Sequence, residues 1–420
     1  MSSPFRRSFS GHHERTFLLG IERTHMSRLQ AERSLDEIAR LVTTAEGRVV
    51  ERICYRVREA NPATFIGKGK MEEVKELLKK VEAQLIVLDD ELSPVQNRNL
   101  ESEWGIPVLD RTAVILDIFA LRAQSREGKL QVELAQLEYL APRLVGHGKT
   151  FSQQVGRIGT RGPGETALEL DRRRIRDRAT VLRKKIREIQ AHRKIHRLRR
   201  ESVPFPFVSL VGYTNAGKST LLNAITGSDA FVEDKLFATL DPKVRRLRLP
   251  SGREALIADT VGFIRRLPHQ LIEAFRATFE EIEQAHLLLH VIDASDPEAE
   301  QQIEVVEQVL TELQLSHKPC IQVLNKADGE LHYRGEEESV SVSALKRQGL
   351  DTLLLRLDEV LREDFHRVTL FLPHNRGDVL SQVYRLAYVW KVNHDGEGMW
   401  VDCQLHAKFL GQFRSFLVKT

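Results

Sequence analysis

The chain has 420 residues, of which 41% are hydrophobic and 29% charged, so it is neither a disordered chain nor one small domain, and its length predicts about three domains. Its net charge of +4 does not mark the whole chain as a polyanion binder, and its three scattered cysteines, which form no CxxC pair, argue against a disulfide framework or a zinc site. No apolar run reaches the ~18–20 residues that cross a bilayer, so we expect a cytoplasmic protein without a membrane span.

The N-terminal third predicts a tail followed by a small α/β subdomain. Residues 1–15 are rich in Arg and Ser and lack an apolar stretch, so we interpret them as a flexible tail, with a transit peptide as the alternative. Residues 16–125 alternate β-branched runs with helical stretches. The clearest predictions are strands at 48–54 and 84–89 and helices at 71–81 and 93–102.

Two long helices are predicted within residues 126–200. Their apolar residues step by four and three along each helix. The stripes are Leu130, Leu134, Leu137, Ala141 and Leu144, then Ile175, Ala179, Leu182, Ile186 and Ile189. Such stripes favour packing as an antiparallel hairpin. Residues 146–166 between the helices include six glycines, which predicts a flexible loop at the tip of the hairpin.

The positive charge of the chain is concentrated in the second of these helices. Between Arg172 and Arg200 there are 14 Lys and Arg against two acids, a net charge of +12, so the rest of the chain carries −8. Eleven of the 14 are Arg, which suits bidentate contacts with phosphate. The segment predicts a polyanion partner such as RNA, with a solvated helical linker as the alternative.

A phosphate-binding loop follows the helices. The apolar run 207–211 leads into G-Y-T-N-A-G-K-S and then into a helical stretch, which is the P-loop pattern in its strand–loop–helix setting. Its glycines let backbone N–H groups face phosphate oxygens, Lys218 supplies positive charge, and Ser219 offers a hydroxyl to Mg²⁺. The predicted contacts are Gly212, Tyr213, Thr214, Asn215, Ala216, Gly217, Lys218, Ser219 and Thr220.

Two further segments are predicted to respond to the γ-phosphate. They comprise Phe237, Ala238, Thr239, Leu240 and Asp241, then Asp259, Thr260, Val261 and Gly262. We expect Mg²⁺ to be held by Ser219, by Thr239 and, through water, by Asp259, while the Gly262 N–H senses the γ-phosphate. Loss of that phosphate would release both segments.

Selection of guanine is predicted by an N-K-x-D motif at the end of the apolar run 320–324. The motif consists of Asn325, Lys326, Ala327 and Asp328. The Asp328 carboxylate would accept hydrogen bonds from guanine N1–H and N2–H₂, which adenine does not offer, and Lys326 would lie over the base plane. Residues expected to close over the base edge are Ser343, Ala344 and Leu345.

No catalytic residue is assigned, although Lys218 and Thr239 are expected to support phosphoryl transfer. Phe263 stands where many GTPases carry a Gln that orients the attacking water. We therefore expect slow intrinsic hydrolysis, with the missing group supplied by a mobile segment or a partner, an effect of about 10³–10⁵ in rate. Asn215 matches the Asn that binds potassium in some GTPases; alternatively it only braces the loop.

This ordered set of motifs resembles the HflX family of ribosome-associated GTPases. Two upstream segments carry the resemblance as well, F-I-G-K-G-K at 65–70 and G-T-R-G-P-G-E-T at 159–166. The likeness covers about residues 16–360, whereas residues 146–155 match no family pattern. It implies a GTPase that binds the large ribosomal subunit and splits stalled or idle ribosomes, with loop 146–166 contacting ribosomal RNA near the peptidyl-transferase region.

The predicted fold class is α/β. A central P-loop GTPase domain over 201–362 has a mostly parallel sheet with helices on both faces. It is preceded by the small α/β domain with its antiparallel helical hairpin and followed by a small α+β domain over 367–420. The expected partners of a monomer are GTP or GDP and the large subunit with its RNA. Alternatives are a ribosome-assembly or RNA-maturation GTPase, a GTP-regulated protein-binding switch, and ATP-driven RNA unwinding.

Overall fold

The computed structural model of the protein describes residues 14–24, 26–143, 163–201, 205–228, 236–266, 268 and 276–418. The chain divides into two compact units. The first comprises Met1–Arg187, Lys235–Phe237 and Leu267–Phe275, and the second comprises Glu188–Asp234, Ala238–Arg266 and Arg276–Thr420. None of the described helices combines the length with the apolar character that crossing a bilayer requires.

The first unit is built on a parallel four-stranded sheet in the order β2-β1-β3-β4. Its elements are β1 (Arg15–Arg23), α1 (Arg28–Thr44), β2 (Arg48–Val57), α2 (Lys68–Lys80), β3 (Leu85–Leu88), α3 (Pro94–Trp104), β4 (Val108–Asp110), α4 (Arg111–Arg122), α5 (Arg126–Leu140) and the first part of α6 (Pro163–Glu201). The α/β character predicted for this region is confirmed. Helix α4 was not predicted from the sequence. Its residues from Arg111 to Phe119 are all buried, so the sequence shows no amphipathic period there.

Helix α6 packs on α5 through the two predicted apolar stripes. Their most buried members form one cluster: Leu134, Leu137, Ile175, Ala179, Leu182 and Ile186. Two ion pairs lie beside the cluster, Glu133 with Arg178 and Glu138 with Arg183, and each joins residues 45 positions apart. A constant offset means that the two helices run in the same direction where they pack.

The antiparallel direction predicted for these helices is therefore wrong. Stripes that step by four and three pack equally well in either direction, so the apolar pattern cannot decide between them. Residues 141–162 would span up to ~70 Å when extended, so the connection does not force a hairpin. Leu144 and most of the predicted loop lie outside the described residues, and the last positions of that loop, 163–166, belong to α6.

The second unit contains a six-stranded sheet in the order β10-β9-β8-β5-β7-β6, parallel except for β6. Its elements are β5 (Phe207–Val211), α7 (Lys218–Thr226), β6 (Lys243–Arg248), β7 (Glu254–Asp259), α8 (Arg276–Glu283), β8 (Leu287–Asp293), α9 (Ala299–Glu312), β9 (Cys320–Asn325), β10 (Val340–Ser341) and α10 (Leu350–Asp364). The predicted fold class, with its mostly parallel central sheet, is confirmed.

The C-terminal part of the second unit is a three-stranded antiparallel sheet in the order β11-β13-β12. Its elements are β11 (Phe365–Pro373), α11 (Gly377–Leu386), β12 (Ala387–His394), β13 (Gly398–His406), α12 (Ala407–Leu410) and a 3₁₀ helix, Gly411–Phe416. The alternating apolar residues of the three strands form a core of their own with Val379, Val383 and Phe413. The small α+β domain predicted from the tail is confirmed as a fold.

A buried ion pair joins the turn between β6 and β7 to α10. Arg253 donates to Asp358 from Nε at 3.0 Å and to the Phe365 carbonyl from Nη1 at 3.0 Å. Burial raises the pKa of Asp358, but hydrogen bonds from Arg253 and Ser251 outweigh it and hold that pKa below its ordinary value. Breaking one partner of such a pair leaves a buried charge unpaired, so the pair fixes this turn.

Candidate functional site

The predicted phosphate loop, residues 212–217, lies between β5 and α7. Strand β5 is central in its sheet and buried along its whole length, which explains its uninterrupted apolar sequence. At Gly217 the backbone φ is 91°, and a Cβ there would lie 2.2 Å from Nδ2 of Asn325. Only glycine fits, and α7 then starts at Lys218 with the unpaired N–H groups of a helix N-terminus at the loop.

Lys218 is buried and its ammonium group lies inside the loop. Its Nζ donates to the Gly212 carbonyl at 3.0 Å and to the Tyr213 carbonyl at 2.7 Å. Burial lowers the pKa of Lys218 to about 8, against the opposing attraction of Asp259. Phosphate oxygens would stabilise this charge far better than two carbonyls do, so the side chain is suited to bind an anion.

The three predicted metal-binding side chains meet in one cluster. Ser219 Oγ lies 2.9 Å from Thr239 Oγ1 and donates to Asp259 Oδ2 at 2.6 Å, and Thr239 Oγ1 donates to the same oxygen at 2.8 Å. Asp259 is fully buried, and its Oδ1 has no hydrogen-bond partner among the described residues. An oxygen-only cluster with one unsatisfied buried carboxylate oxygen fits Mg²⁺, which prefers oxygen ligands.

Gly262 and Phe263 form the wall of the loop opposite α7. A Cβ on Gly262 would lie 2.8 Å from the backbone Cα of Thr214 and 2.9 Å from Lys218 Nζ, so only glycine allows this approach. The Phe263 N–H donates to the Gly212 carbonyl at 3.1 Å, and its carbonyl accepts from the Thr214 N–H at 2.7 Å. Its ring is fully buried and lies 5.8 Å from the ring of Phe279, so Phe263 supports the loop and has no polar group for water.

At the base end, Asn325 ties two loops together. Its Nδ2 donates to the Ala216 carbonyl at 2.8 Å, and its Oδ1 accepts from the Ala344 N–H at 3.1 Å. Asn325 is itself buried, so both halves of its amide are used in holding the phosphate loop against the segment that contains Ser343. Its part in the site is to position the two loops.

The charged residues of the N-K-x-D motif have partners that the sequence did not indicate. Lys326 Nζ lies 2.6 Å from Asp293 Oδ2, and Asp328 Oδ2 lies 3.1 Å from Lys346 Nζ. Hydrogen bonds from Ser343 and from Lys346 hold the pKa of Asp328 below its ordinary value, so the carboxylate is ionised at neutral pH. Leu345 is exposed, and the ionised carboxylate of Asp328 is suited to accept hydrogen bonds from a base edge.

The remaining predicted contacts are spread over several environments. Buried residues near the loop and switch segments are Thr214, Leu240, Thr260 and Val261. Thr260 is not directed at a ligand, because its Oγ1 donates to the Leu210 carbonyl at 2.6 Å. Phe237 belongs to the first unit, where its ring packs edge-on against Phe119 with 4.8 Å between centroids. Half-buried residues are Thr220, Ala238, Asp241 and Ala327.

Sequence reasoning missed the roles of Asp293 and Lys346. Asp293 ends β8, and its acidic character after an apolar run was the available signal. Lys346 follows the predicted base-closing segment directly, so its charge next to that segment was the available signal.

Comparisons with known proteins match the chain along its length. Three family models match in succession: GTP-binding GTPase N-terminal over 32–120, GTP-binding GTPase Middle Region over 122–200 and 50S ribosome-binding GTPase over 207–326. The GTPase HflX of Caldanaerobacter subterraneus subsp. tengcongensis is 45% identical over 406 residues, 96% of this chain and 94% of that protein. The GTPase HflX of Escherichia coli strain K12 is 44% identical over 365 residues, 85% of this chain and 86% of that protein.

A solved structure is also similar. It is a GTP-binding protein from the archaeon Sulfolobus solfataricus in complex with GDP, 26% identical, with a TM-score of 0.42, covering 83% of this chain and 99% of that one.

Proposed function

The chain belongs to the GTPase HflX family, and from that premise we propose that it hydrolyses GTP with Mg²⁺, binds the large ribosomal subunit and splits stalled or idle ribosomes. GTP hydrolysis is the activity named for the relatives. Binding to the large subunit is named in the family model that matches residues 207–326. The splitting of ribosomes is the finer part of this proposal.

One observation carries the hydrolytic part of the proposal. Ser219, Thr239 and Asp259 converge within hydrogen-bonding distance, and Asp259 Oδ1 is buried without a partner among the described residues. Mg²⁺ bound there would neutralise charge on the β- and γ-phosphates. Ser219 and Thr239 would be its direct ligands, and Asp259 would act through water.

The residues of the loop would do the remaining work on the phosphates. Backbone N–H groups at the start of α7 bind phosphate oxygens, and Lys218 adds a charge that its two carbonyl partners satisfy only in part. The Gly262 N–H lies on the wall next to Lys218, where it would sense the γ-phosphate. Asp328, held ionised by Ser343 and Lys346, would select guanine by accepting from N1–H and N2–H₂.

The side chain that orients the attacking water has to come from elsewhere. Phe263 occupies the position of the usual Gln, and its ring is fully buried and apolar. Basal hydrolysis is therefore slow, and the ribosome supplies or orders the missing group. This is the reason to expect stimulation by large subunits.

We also propose that Asn215 binds a potassium ion beside the phosphates. Its backbone φ is 64°, its side chain is exposed, and that side chain has no hydrogen-bond partner among the residues described. A bracing role would require such a partner. Turnover faster in potassium than in sodium, with the difference lost in Asn215→Ala, supports this assignment, and equal rates in both salts contradict it.

Contact with ribosomal RNA would come from the basic face of α6. Arg178 and Arg183 are paired with glutamates of α5, but Arg173, Arg176, Lys184 and Arg187 are exposed and form no ion pair with any residue in the described ranges. Unpaired basic residues along one helix displace counterions from a polyanion, so binding to the subunit should weaken steeply with salt.

The decisive experiment measures GTP turnover with and without purified large subunits and follows intact ribosomes by sedimentation. We expect turnover to rise with large subunits and ribosomes to separate into subunits in the presence of GTP, with neither effect in Lys218→Ala. Stimulation without separation would reject ribosome splitting and favour a role in subunit assembly. Absence of stimulation would reject the ribosomal proposal while leaving basal GTP hydrolysis intact.

A further inference from the structure

The second unit contains a cavity that the proposed nucleotide site does not use. It has a volume of about 380 Å³ and opens between the β6–β7 hairpin and the three-stranded sheet. Residues from both sides line it, including Arg248, Arg253, Glu254, Arg367, Tyr388 and Trp390. None of them belongs to the predicted GTP contacts, and a volume above ~300 Å³ is large enough for a small ligand.

The walls of the cavity carry uncompensated positive charge. Arg253 is neutralised by Asp358, and Glu254 lies 3.7 Å from Arg246. Arg248 and Arg367 are exposed, and neither forms an ion pair with a residue in the part of the chain that the structure describes. Two guanidinium groups at the mouth of one cavity therefore favour an anionic ligand.

Aromatic side chains form another part of the cavity lining. The guanidinium carbon of Arg367 lies 4.5 Å from the ring centroid of Trp390, and the rings of Tyr388 and Trp390 are 6.3 Å apart. The ring of Phe205 packs on the ring of Tyr388, with 4.6 Å between the centroids. Tyr388 and Trp390 are both half-buried, so part of each ring remains accessible. Planar groups next to arginines are the combination that binds unstacked bases and their phosphates.

We propose that this cavity binds a nucleotide unit of single-stranded RNA. The base stacks against the rings of Tyr388 and Trp390, and the flanking phosphates pair with Arg248 and Arg367. Bases within a duplex are stacked on one another and cannot enter, so the site distinguishes single strands from double strands. An acidic peptide would satisfy the arginines but would leave the two rings unused. The site is separate from α6 and adds an RNA contact to the second unit.

The test uses the full chain and a six-nucleotide adenosine RNA, with binding followed by tryptophan fluorescence and by anisotropy. We expect Trp390→Leu to lose the fluorescence quench and to bind about tenfold more weakly. Arg248→Gln and Arg367→Gln should each lower affinity about threefold and reduce the slope of log K against log salt by about 0.7. Arg334→Gln, an exposed arginine outside the cavity, is the matched control and should bind as the wild type does.

Several outcomes would overturn the proposal. One is that both arginine variants bind the hexamer with the affinity and the salt dependence of the wild type. These two variants also decide the test if Trp390→Leu does not fold. Another is binding of duplex RNA, adenosine monophosphate or an acidic peptide that is as tight as binding of the hexamer and is weakened to the same extent by the Arg248, Arg367 and Trp390 substitutions. Basal GTP turnover should be unchanged in all variants, so failure of this site is distinguishable from failure of the proposed hydrolysis.

Discussion

The phosphate end and the base end of the candidate nucleotide site are built differently. At the phosphate end, Lys218, Thr239 and Asp259 are buried, Thr239 donates to Asp259, and Lys218 donates to two carbonyls of the phosphate loop. At the base end, Asp328 and Leu345 are exposed, and the carboxylate is paired with Lys346 on a neighbouring loop. The first end is preorganised by a strand, a tight loop and a helix, and the second is assembled from loops.

The difference indicates how each end contributes to binding. A buried charge with too few hydrogen-bond partners contributes most to the binding free energy when a ligand supplies them, because little water competes for the charge. The exposed Asp328 carboxylate contributes less to the binding free energy, since it gives up contacts with water and Lys346 when it binds the base. We therefore expect the phosphate end to provide affinity and the base end to provide selectivity.

The largest expected effect is that of Lys218→Ala. Charge-assisted hydrogen bonds contribute about 1.5–3 kcal/mol each, so losing two should weaken GTP binding on the order of 10²–10⁴-fold and abolish turnover. Calorimetry of GTP binding measures the change in affinity. Lys243→Ala, an exposed lysine at the start of β6, is the control. A loss below tenfold would mean that the phosphate end does not dominate affinity.

Asp328→Asn should act on selectivity rather than on the phosphates. The neutral amide cannot accept from both guanine donors, so preference for guanosine over adenosine diphosphate should fall by about 10²-fold or more. Competition binding with the two diphosphates measures the ratio. Affinity for inorganic pyrophosphate should remain unchanged, and an equal loss for every ligand would contradict a division of labour between the two ends.

Raising the pH should weaken binding through the phosphate end alone. Burial lowers the pKa of Lys218 to about 8, and phosphate favours its protonated form, so affinity is full below pH 8 and falls above it by up to about tenfold per unit. The pKa of Asp328 lies below its ordinary value, so its carboxylate stays ionised and selectivity stays constant. Lys218→Arg remains charged, and a decline that persists in this variant would rule out Lys218 as the titrating group.

The smallest effect is expected for Lys346→Ala. An exposed ion pair contributes little to stability, and this pair has to loosen when a base approaches Asp328. GDP affinity should therefore rise by no more than about threefold, with Lys346→Arg unchanged, as measured by calorimetry. A fall in affinity would show instead that Lys346 orients the carboxylate for guanine.

The local motifs were predictable because their chemistry lies in adjacent residues. A buried strand, a glycine-rich loop and Lys218 follow one another in sequence, and so do Asn325 and Asp328 at the end of β9. The structure brings Ser219, Thr239 and Asp259 within hydrogen-bonding distance of one another. It assigns Asn325 to joining loops and Thr260 to a backbone carbonyl, distinctions that a motif cannot express.

Helix direction was not predictable. The stripes of α5 and α6 identified which residues would pack, but a four-three repeat reads the same in both directions. The equal offsets of the pairs Glu133–Arg178 and Glu138–Arg183 decide in favour of parallel packing. Charged residues at the edges of a stripe carry this information only once the partner of each is known.

The sequence by itself determined the strand–loop–helix motif, the N-K-x-D motif, the apolar stripes and the concentration of charge in α6, because each depends on residues close together in the chain. Tertiary structure alone decided which carboxylate oxygen is left unsatisfied, what holds Asp328 ionised, and that Arg367 and Trp390 from separate strands share a cavity with Arg248. Those features depend on the distances between segments far apart in sequence, which burial and hydrogen bonding fix only in the folded chain.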